Sequence, residues 1–283
     1  MVGIAASADS KRITIYGHGL SVAQAFTLAP GIRLEPDTPA FSLDSTVDGC
    51  ASFSDYAAVV QGRDLATFSL VIETRGDAEQ LTGDAWNALW LFHLLSIACR
   101  SPALLLFAVS DGIQPRYSAA NRTVFVRPVE KGHSATTDEL VWARDHADAF
   151  SRLISIPEFN TAMRCFGNAH YLPDFDVRIM LLWSGIEGLL SVDAELSRRL
   201  ALYAALIIDG SPEEKVRYFD KVKNAYGIRS RAVHGSKTKA EKLVEGYHMA
   251  SRILTDLLAR CVELGRVPTP TELDHLAVSG IPA

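Results

Sequence analysis

The chain contains few cysteines: four among 283 residues, at positions 50, 99, 165 and 261. They lie far apart in the sequence, and no two of them form a CxxC pair. This spacing excludes the disulfide framework of a small secreted domain. We therefore expect the cysteines to be small core residues of a protein in a reducing compartment, and we expect a cytoplasmic location.

Long hydrophobic runs are also absent. The most apolar stretch, residues 85–109, is interrupted by polar residues and a proline: Asn87, His93, Arg100, Ser101 and Pro102. Its longest apolar part falls short of the roughly 20 residues that a membrane span requires. The first residues, MVGIAASADSKR, lack the basic start and apolar run of a secretory signal. We expect no membrane partner, and we predict that residues 85–109 form a buried helix followed by a strand.

Several sequence motifs that would indicate a particular catalytic or nucleotide-binding function are missing. The chain has no GxxxxGK[ST] loop, no GxGxxG after a strand, no HExxH and no GxSxG. The eight histidines and four cysteines show no metal-ligand spacing along the chain. We therefore expect no metal site and no cofactor.

Positive charge is scarce overall, because the net charge is −5, and this sum by itself argues against a nucleic-acid binder. The two halves differ, however. The first 150 residues hold 11 basic and 17 acidic side chains, whereas the rest hold 17 and 16. The chain is 48% hydrophobic, which excludes a disordered protein, and its length is typical of two domains.

The first half has the pattern of an α+β domain, which we assign to residues 1–135. Strand patterns rich in Ile, Val, Thr and Phe occur at residues 12–16, 67–73, 103–109 and 123–129. Residues 26–34 predict a strand pair that turns at Pro30-Gly31. Residues 82–99 predict one helix, because their apolar side chains recur at three- and four-residue spacing. Nothing in this half indicates a function.

The second half, residues 136–283, predicts an all-α helical bundle. Four capping boxes mark helix starts, at residues 136–139, 155–158, 211–214 and 238–241. Asp174 marks a further start after Pro173. Apolar stripes at helical spacing run between these starts, as is typical of helices that each bury one face.

One segment of this half stands apart: residues 226–235, with the sequence YGIRSRAVHG. We expect it to join two helices and to place two arginines and a histidine beside the start of the helix at Thr238. Such a helix start favours anions, because its free amides and its dipole both attract negative charge.

Basic residues surround this segment. Residues 215–242 hold nine Lys or Arg and only two acids, which is a local excess of seven positive charges. A phosphate-bearing partner fits this distribution, and the alternative is an ordinary solvated face. The candidate phosphate-binding residues of this stretch are Lys223, Arg231, Lys237 and Lys239.

The sequence from Arg229 to His234, Arg-Ser-Arg-Ala-Val-His, resembles the R-x4–6-H motif of the HEPN superfamily of helical ribonucleases and nucleotide-binding domains. The run LLWSGIEGLL at residues 181–190, then RRLA at 198–201, then RSxxVHG, resembles the Apea-like branch. The resemblance covers about residues 145–262. It implies an HEPN-like bundle that cleaves RNA without a metal and forms a homodimer in which paired motifs meet.

The resemblance also implies site residues. Arg229 and His234 take the two defining positions, Ser230 takes the small polar position after the arginine, and Glu187 matches the acidic residue of the second core helix. A histidine that titrates near neutrality can move the proton of a ribose 2′-OH, and an arginine can hold the phosphate. Because Glu187 lies on a helix side that we expect to be buried, it requires a cationic partner. The family setting implies a toxin or defence effector, with RNA as substrate and a possible inhibitory partner or antitoxin.

Helix geometry restricts this site. Residues five apart on an α-helix are rotated by about 140° from one another, so Arg229 and His234 of one regular helix would diverge. Either the arginine lies at an irregular helix entry just after Gly227, or a second subunit completes each site. Two functions other than cleavage also stay open. One is a non-catalytic HEPN module that binds RNA or a nucleotide or only dimerises, and the other is a scaffold in which Arg229 and Glu187 hold the bundle together.

Overall fold

The computed structural model describes residues 3–120, 126–129, 132–192, 195–233 and 239–279. The chain divides into two compact units, Met1–Asp145 and His146–Ala283. The division falls within a helix, α4 (Thr137–Leu153), so this helix contributes residues to both units. Among the described residues, no helix combines the length and apolar character needed to cross a membrane.

The first unit is built on an antiparallel sheet. Its strands are β1 (Arg12–His18), β3 (Phe26–Ala29), β4 (Ile32–Glu35), β5 (Phe68–Glu73), β6 (Leu104–Ser110) and β7 (Tyr117–Ala119), in the order β3-β4-β5-β1-β6-β7. Two short strands, β2 (Leu20–Ser21) and β8 (His133–Ser134), form a separate parallel pair. The helices of this unit are a 3-10 helix (Asp44–Gly49), α1 (Phe53–Gly62), α2 (Ala78–Ala88) and α3 (Trp90–Ala98).

The centre of the sheet is buried on both faces. In β5 every residue from Phe68 to Ile72 is buried, and successive strand residues point to opposite faces. The strand pair predicted around Pro30-Gly31 is confirmed, and Gly31 occupies the left-handed region with φ +75°. The predicted strands near residues 12–16, 67–73 and 103–109 are confirmed as β1, β5 and β6.

Two predictions for this unit are wrong in detail. The single helix predicted at residues 82–99 is two helices, because the chain tightens at Leu89, whose amide bonds to the carbonyl of Trp86. No strand covers residues 126–129, and the remainder of the strand predicted at 123–129 lies outside the described residues. The sequence patterns also missed α1 and β7.

The second unit is helical. After α4 come α5 (Pro157–Ala169), α6 (Phe175–Leu190), α7 (Leu196–Ile207), α8 (Pro212–Val233), α9 (Ala240–Leu264) and α10 (Pro270–Ser279). The prediction of an α+β part followed by a mainly helical part is therefore confirmed, and the structure adds that the sheet is antiparallel. Helix α6 is central, since it packs against α5, α7, α8 and α9.

Local hydrogen bonds explain where these helices begin. Thr136 and Glu139 form the predicted reciprocal box at the start of α4, and Ser211 and Glu214 form it at α8. The box predicted at Ser155 is wrong, because the Ser155 amide closes the last turn of α4 on Arg152. Ile156 takes the N-cap position of α5 instead, without a side-chain cap. Thr238 of the fourth predicted box lies outside the described residues.

Two glycines allow helices to pack closely around α6. A Cβ at Gly185 of α6 would lie 3.0 Å from Cys165 and from Leu254. A Cβ at Gly246 of α9 would lie only 2.6 Å from Cγ2 of Ile228 on α8. The absence of a side chain at Gly246 therefore sets the distance between α9 and the C-terminal turns of α8.

Candidate functional site

The segment that carries the arginine motif is helical. Helix α8 continues to Val233, so residues 226–233 form its last two turns rather than a connection between helices. Val222, Ala225 and Ile228 are the buried residues of α8, and they fix its inner side. The predicted alternative of an irregular entry after Gly227 is therefore wrong, and completion of the site by a second subunit remains a prediction.

Arg229 forms an ion pair with Glu187 of α6. Nη2 of Arg229 lies 3.1 Å from Oε1 of Glu187, and each side chain is 21% exposed. The cationic partner that Glu187 requires is thus present, and it comes from a helix packed against its own. Burial raises the pKa of Glu187 above its ordinary value, and the positive charge of Arg229 opposes this rise.

Two aromatic rings surround the ion pair. Trp183, one turn before Glu187 on α6, is fully buried and meets the ring of Tyr226 nearly perpendicularly, with 5.1 Å between centroids. The guanidinium carbon of Arg229 lies 5.3 Å from the centroid of Tyr226. Tyr226 therefore packs against Arg229, and Trp183 of α6 packs against Tyr226; the sequence motif did not identify these two aromatic residues as site residues. Their spacing, three residues before Arg229 and four before Glu187, is the signal that could have found them.

Several polar atoms of this cluster have unmade hydrogen bonds. Among the described residues, Nε1 of Trp183, Oε1 of Glu187 and Nε of Arg229 are buried and lack a hydrogen-bond partner. The Arg229–Glu187 contact satisfies the distance of an ion pair without the geometry of a hydrogen bond. Buried polar atoms are nearly always bonded in folded proteins, so three such atoms in one cluster mark a place where a further group could bind.

The neighbouring motif residues Ser230 and Arg231 are not part of the Arg229–Glu187 ion pair. Arg231 is exposed, because residues two apart on a helix are rotated by about 200° and Arg229 faces α6. Ser230 is half-buried between them. The structure therefore brings Arg229 and Glu187 together and separates Arg231 from both.

The basic residues around the motif fall into two groups. Some are paired within the protein: Nζ of Lys221 lies 3.9 Å from Asp256, and Nζ of Lys242 lies 2.6 Å from Glu245. Lys223, Arg231 and Lys239 are exposed and form no ion pair with a described residue. Lys223 and Arg231 lie eight residues apart on α8, about 12 Å along the helix axis.

Three predicted positions are not part of the described structure: His234, Lys237 and the helix start at Thr238 lie outside the described residues. Lys239 is the residue before α9 and has an extended conformation.

Side chains able to hold a metal meet in the first unit. Among the described residues, Cys99, His133 and Glu139 form one group whose ligand atoms all lie within 4.8 Å of one another. The expectation that histidines and cysteines do not cluster is wrong at this place. These residues are 34 and 6 positions apart in the sequence, so no short spacing could reveal the group.

The fold and the site together define an antiparallel α+β unit followed by a helical unit that holds a half-buried glutamate–arginine pair between two helices. No protein-family model, no curated protein and no solved structure matches this chain. The side chains of the helical unit are therefore the basis for a functional assignment.

Proposed function

We propose that the helical unit is an HEPN-type endoribonuclease that cleaves RNA without a metal, in the setting of a toxin or defence effector. The observation that carries this proposal is the placement of Arg229. Glu187 and Tyr226 hold its guanidinium within the last turns of α8, and His234 follows five residues later.

The chemistry requires only a phosphate clamp and a proton carrier. Arg229 has five N–H donors, its side chain is partly exposed, and only Nη2 meets Glu187 in the ion pair, so its exposed N–H groups can donate to a phosphate oxygen. His234 takes the proton of the ribose 2′-OH, whose oxygen attacks the neighbouring phosphorus and forms a 2′,3′-cyclic phosphate as the bond to the 5′-oxygen breaks. The leaving 5′-oxygen takes a proton from water, and the protonated His234 returns its proton to solvent. The RNA supplies the nucleophile, and the arginine stabilises the charge that gathers on the phosphate.

Exposed cations extend the binding surface. Lys223, Arg231 and Lys239 are unpaired among the described residues, and they would contact the RNA backbone beyond the scissile phosphate. Ser230 is the polar residue next to Arg229 and would contribute a hydroxyl near the phosphate. The pairing of motifs across a homodimer would bring Arg229 and His234 of different subunits together.

A second candidate is a non-catalytic module that binds RNA or a nucleotide. One observation favours it: the Arg229 guanidinium is already held by Glu187 and packed on Tyr226, as in a structural ion pair. Such a module would retain a phosphate-binding surface and lack turnover.

RNA cleavage by the purified full-length chain separates these functions. Mixed RNA is incubated with wild type, His234→Ala and Arg229→Ala, with and without EDTA. We expect cleavage to be unaffected by EDTA and to fall about 100-fold or more in both variants. His275→Ala and Arg217→Ala are matched controls at exposed positions, and they are expected to cleave like wild type.

Two outcomes contradict the nuclease. Intact RNA with wild type at several salt concentrations, together with RNA binding that Arg231→Ala weakens, supports the non-catalytic module. Equal cleavage by wild type and both site variants assigns the activity to a contaminant or another site.

A further inference from the structure

Three elements of the first unit bring metal-binding side chains together. Cys99 follows the last turn of α3, His133 begins β8, and Glu139 lies in the first turn of α4. Nε2 of His133 lies 2.9 Å from Oε2 and 3.0 Å from Oε1 of Glu139, and the Cys99 sulfur completes a group within 4.8 Å. None of these residues belongs to the site assigned to RNA.

The backbone fixes two of the three positions. The amide of His133 donates to the carbonyl of Gly19 at 2.9 Å, which ties β8 to the end of β1. Gly19 has φ +95°, and a Cβ there would lie 2.2 Å from the carbonyl oxygen of Pro102. Only glycine therefore lets this strand approach the chain just after Cys99, and the approach places His133 beside the thiol.

The carboxylate of Glu139 is oriented before any ligand binds. Its Oε2 accepts hydrogen bonds from the amide of Thr136 at 2.8 Å and from the Thr136 hydroxyl at 3.0 Å. Both oxygens lie within hydrogen-bond distance of Nε2 of His133, Oε2 at 2.9 Å and Oε1 at 3.0 Å. The helix cap thus fixes the carboxylate through Oε2 while both oxygens face His133, and outer hydrogen bonds of this kind orient a metal-binding carboxylate.

We propose that Cys99, His133 and Glu139 bind a divalent transition-metal ion of the Zn²⁺ class. A thiolate, an imidazole and a carboxylate are the three kinds of ligand that Zn²⁺ takes in proteins. On binding, the thiol of Cys99 and Nε2 of His133 give up any proton to solvent, and the imidazole retains its proton on Nδ1. Ligand atoms in tetrahedral Zn²⁺ sites are about 3.2 to 3.6 Å apart, so a pair at the 4.8 Å limit of this group would have to approach by about 1 Å.

The fourth ligand is solvent. Cys99 is buried, but the His133 and Glu139 side chains are 35% and 25% exposed, so one side of the cluster is reached by water. Three protein ligands with an open position are typical of reactive rather than closed structural zinc sites. The competing interpretation is that His133 only supports the capping carboxylate through a hydrogen bond, with a buried thiol beside it by packing alone.

Cobalt binding tests the site directly. The untagged full-length chain is stripped of metal and titrated with Co²⁺, followed by absorbance, and Zn²⁺ is then added as a competitor. We expect one Co²⁺ per chain, a thiolate-to-cobalt charge-transfer band, and loss of that band when Zn²⁺ displaces Co²⁺. No stoichiometric binding, or binding without the charge-transfer band, would overturn the proposal.

Single substitutions assign the ligands. Cys99→Ser removes the thiolate, and His133→Asn removes the imidazole. Glu139→Gln removes the charged ligand while it keeps the helix cap, since Gln serves equally in a capping box. Each is expected to weaken Co²⁺ binding more than tenfold, and Cys50→Ser, a thiol of the same unit outside the cluster, is expected to bind like wild type.

Folding is checked separately from binding. Far-ultraviolet circular dichroism should give the same spectrum for Glu139→Gln and wild type, and this variant decides the question if Cys99→Ser does not fold. The assignment is overturned if folded Glu139→Gln and His133→Asn bind Co²⁺ with wild-type affinity. It is also overturned if Cys50→Ser loses as much Co²⁺ affinity as the cluster variants do. Because the readout is bound metal, the result does not depend on whether the protein cleaves RNA.

Discussion

Removal of the Arg229 charge tests whether the α6–α8 ion pair stabilises the helical unit. The pair is 3.1 Å long, and at an effective dielectric constant of 20 its Coulomb energy is about 5 kcal/mol before desolvation. Most of that is offset by the burial of two groups that are each only 21% exposed. Breaking a fully buried pair costs about 3–5 kcal/mol and breaking an exposed one about 0–1. We therefore expect Arg229→Met to lower the free energy of unfolding by about 2 kcal/mol at pH 7.

The double variant isolates the interaction. Glu187→Gln with Arg229→Met removes both charges, so no carboxylate is left without a partner. We expect the double variant to be more stable than Arg229→Met alone, with a coupling energy of about 1–2 kcal/mol. Urea unfolding followed by circular dichroism and by the fluorescence of buried Trp183 measures these differences.

The pH dependence of this effect has a definite sign. The folded pKa of Glu187 is already raised by burial, and the loss of Arg229 removes the charge that opposes this rise. A raised folded pKa adds stability below the unfolded value of about 4.3, and this contribution is lost as pH rises through the folded pKa. The destabilisation by Arg229→Met should thus shrink as pH falls from 7 to 5. A cost below 0.5 kcal/mol, or one independent of pH, would refute the role given to the pair.

Three further predictions concern packing, protonation and assembly. Gly246→Ala should destabilise the helical unit by about 1–3 kcal/mol, because the added Cβ has no room. Gly227→Ala is the control, since a Cβ there meets nothing closer than 3.7 Å, and it should stabilise the unit. Equal unfolding midpoints for the two variants would contradict this prediction. Burial lowers the pKa of His93 to about 4, so the unfolded chain takes up the proton first and stability falls as pH drops from 6.5 towards 4. The loss from pH 7 to pH 5 should be at most about 2 kcal/mol, and a His93→Gln variant that loses as much as wild type would contradict it. If the two subunits of a homodimer share sites, mixing Arg229→Ala with His234→Ala should restore about a quarter of wild-type cleavage. Half of the dimers in the mixture are heterodimers, and each heterodimer has one of its two sites intact. No recovery of cleavage would show that both residues of a site come from one chain.

The predictions from sequence succeeded where the determining interactions are local. Thr136 and Ser211 each bond to a glutamate three residues away, so their helix starts follow from four adjacent residues. Ser155 has the same spacing to Glu158 but fails, because the preceding helix captures its amide. The break at Leu89 was missed for a related reason, since the apolar spacing continues across both helices.

The candidate site, like the fold, was predicted from the sequence only in part. The need of Glu187 for a cation was predicted, from the cost of burying a charge. The aromatic pair beside Arg229 was not predicted, because Trp183 and Tyr226 meet only when α6 packs against α8.

The amino-acid sequence by itself determined the order of the two parts, the β3–β4 turn and the basic character of residues 215–242, because each depends on composition or on residues within a few positions. Only the tertiary structure decided that Arg229 lies inside α8, which basic residues are already paired, and that Cys99, His133 and Glu139 meet. These features join residues from separate elements, and their proximity depends on how backbones approach at positions such as Gly19 and Gly246. Distances across a fold are set by packing, which no spacing along the chain records.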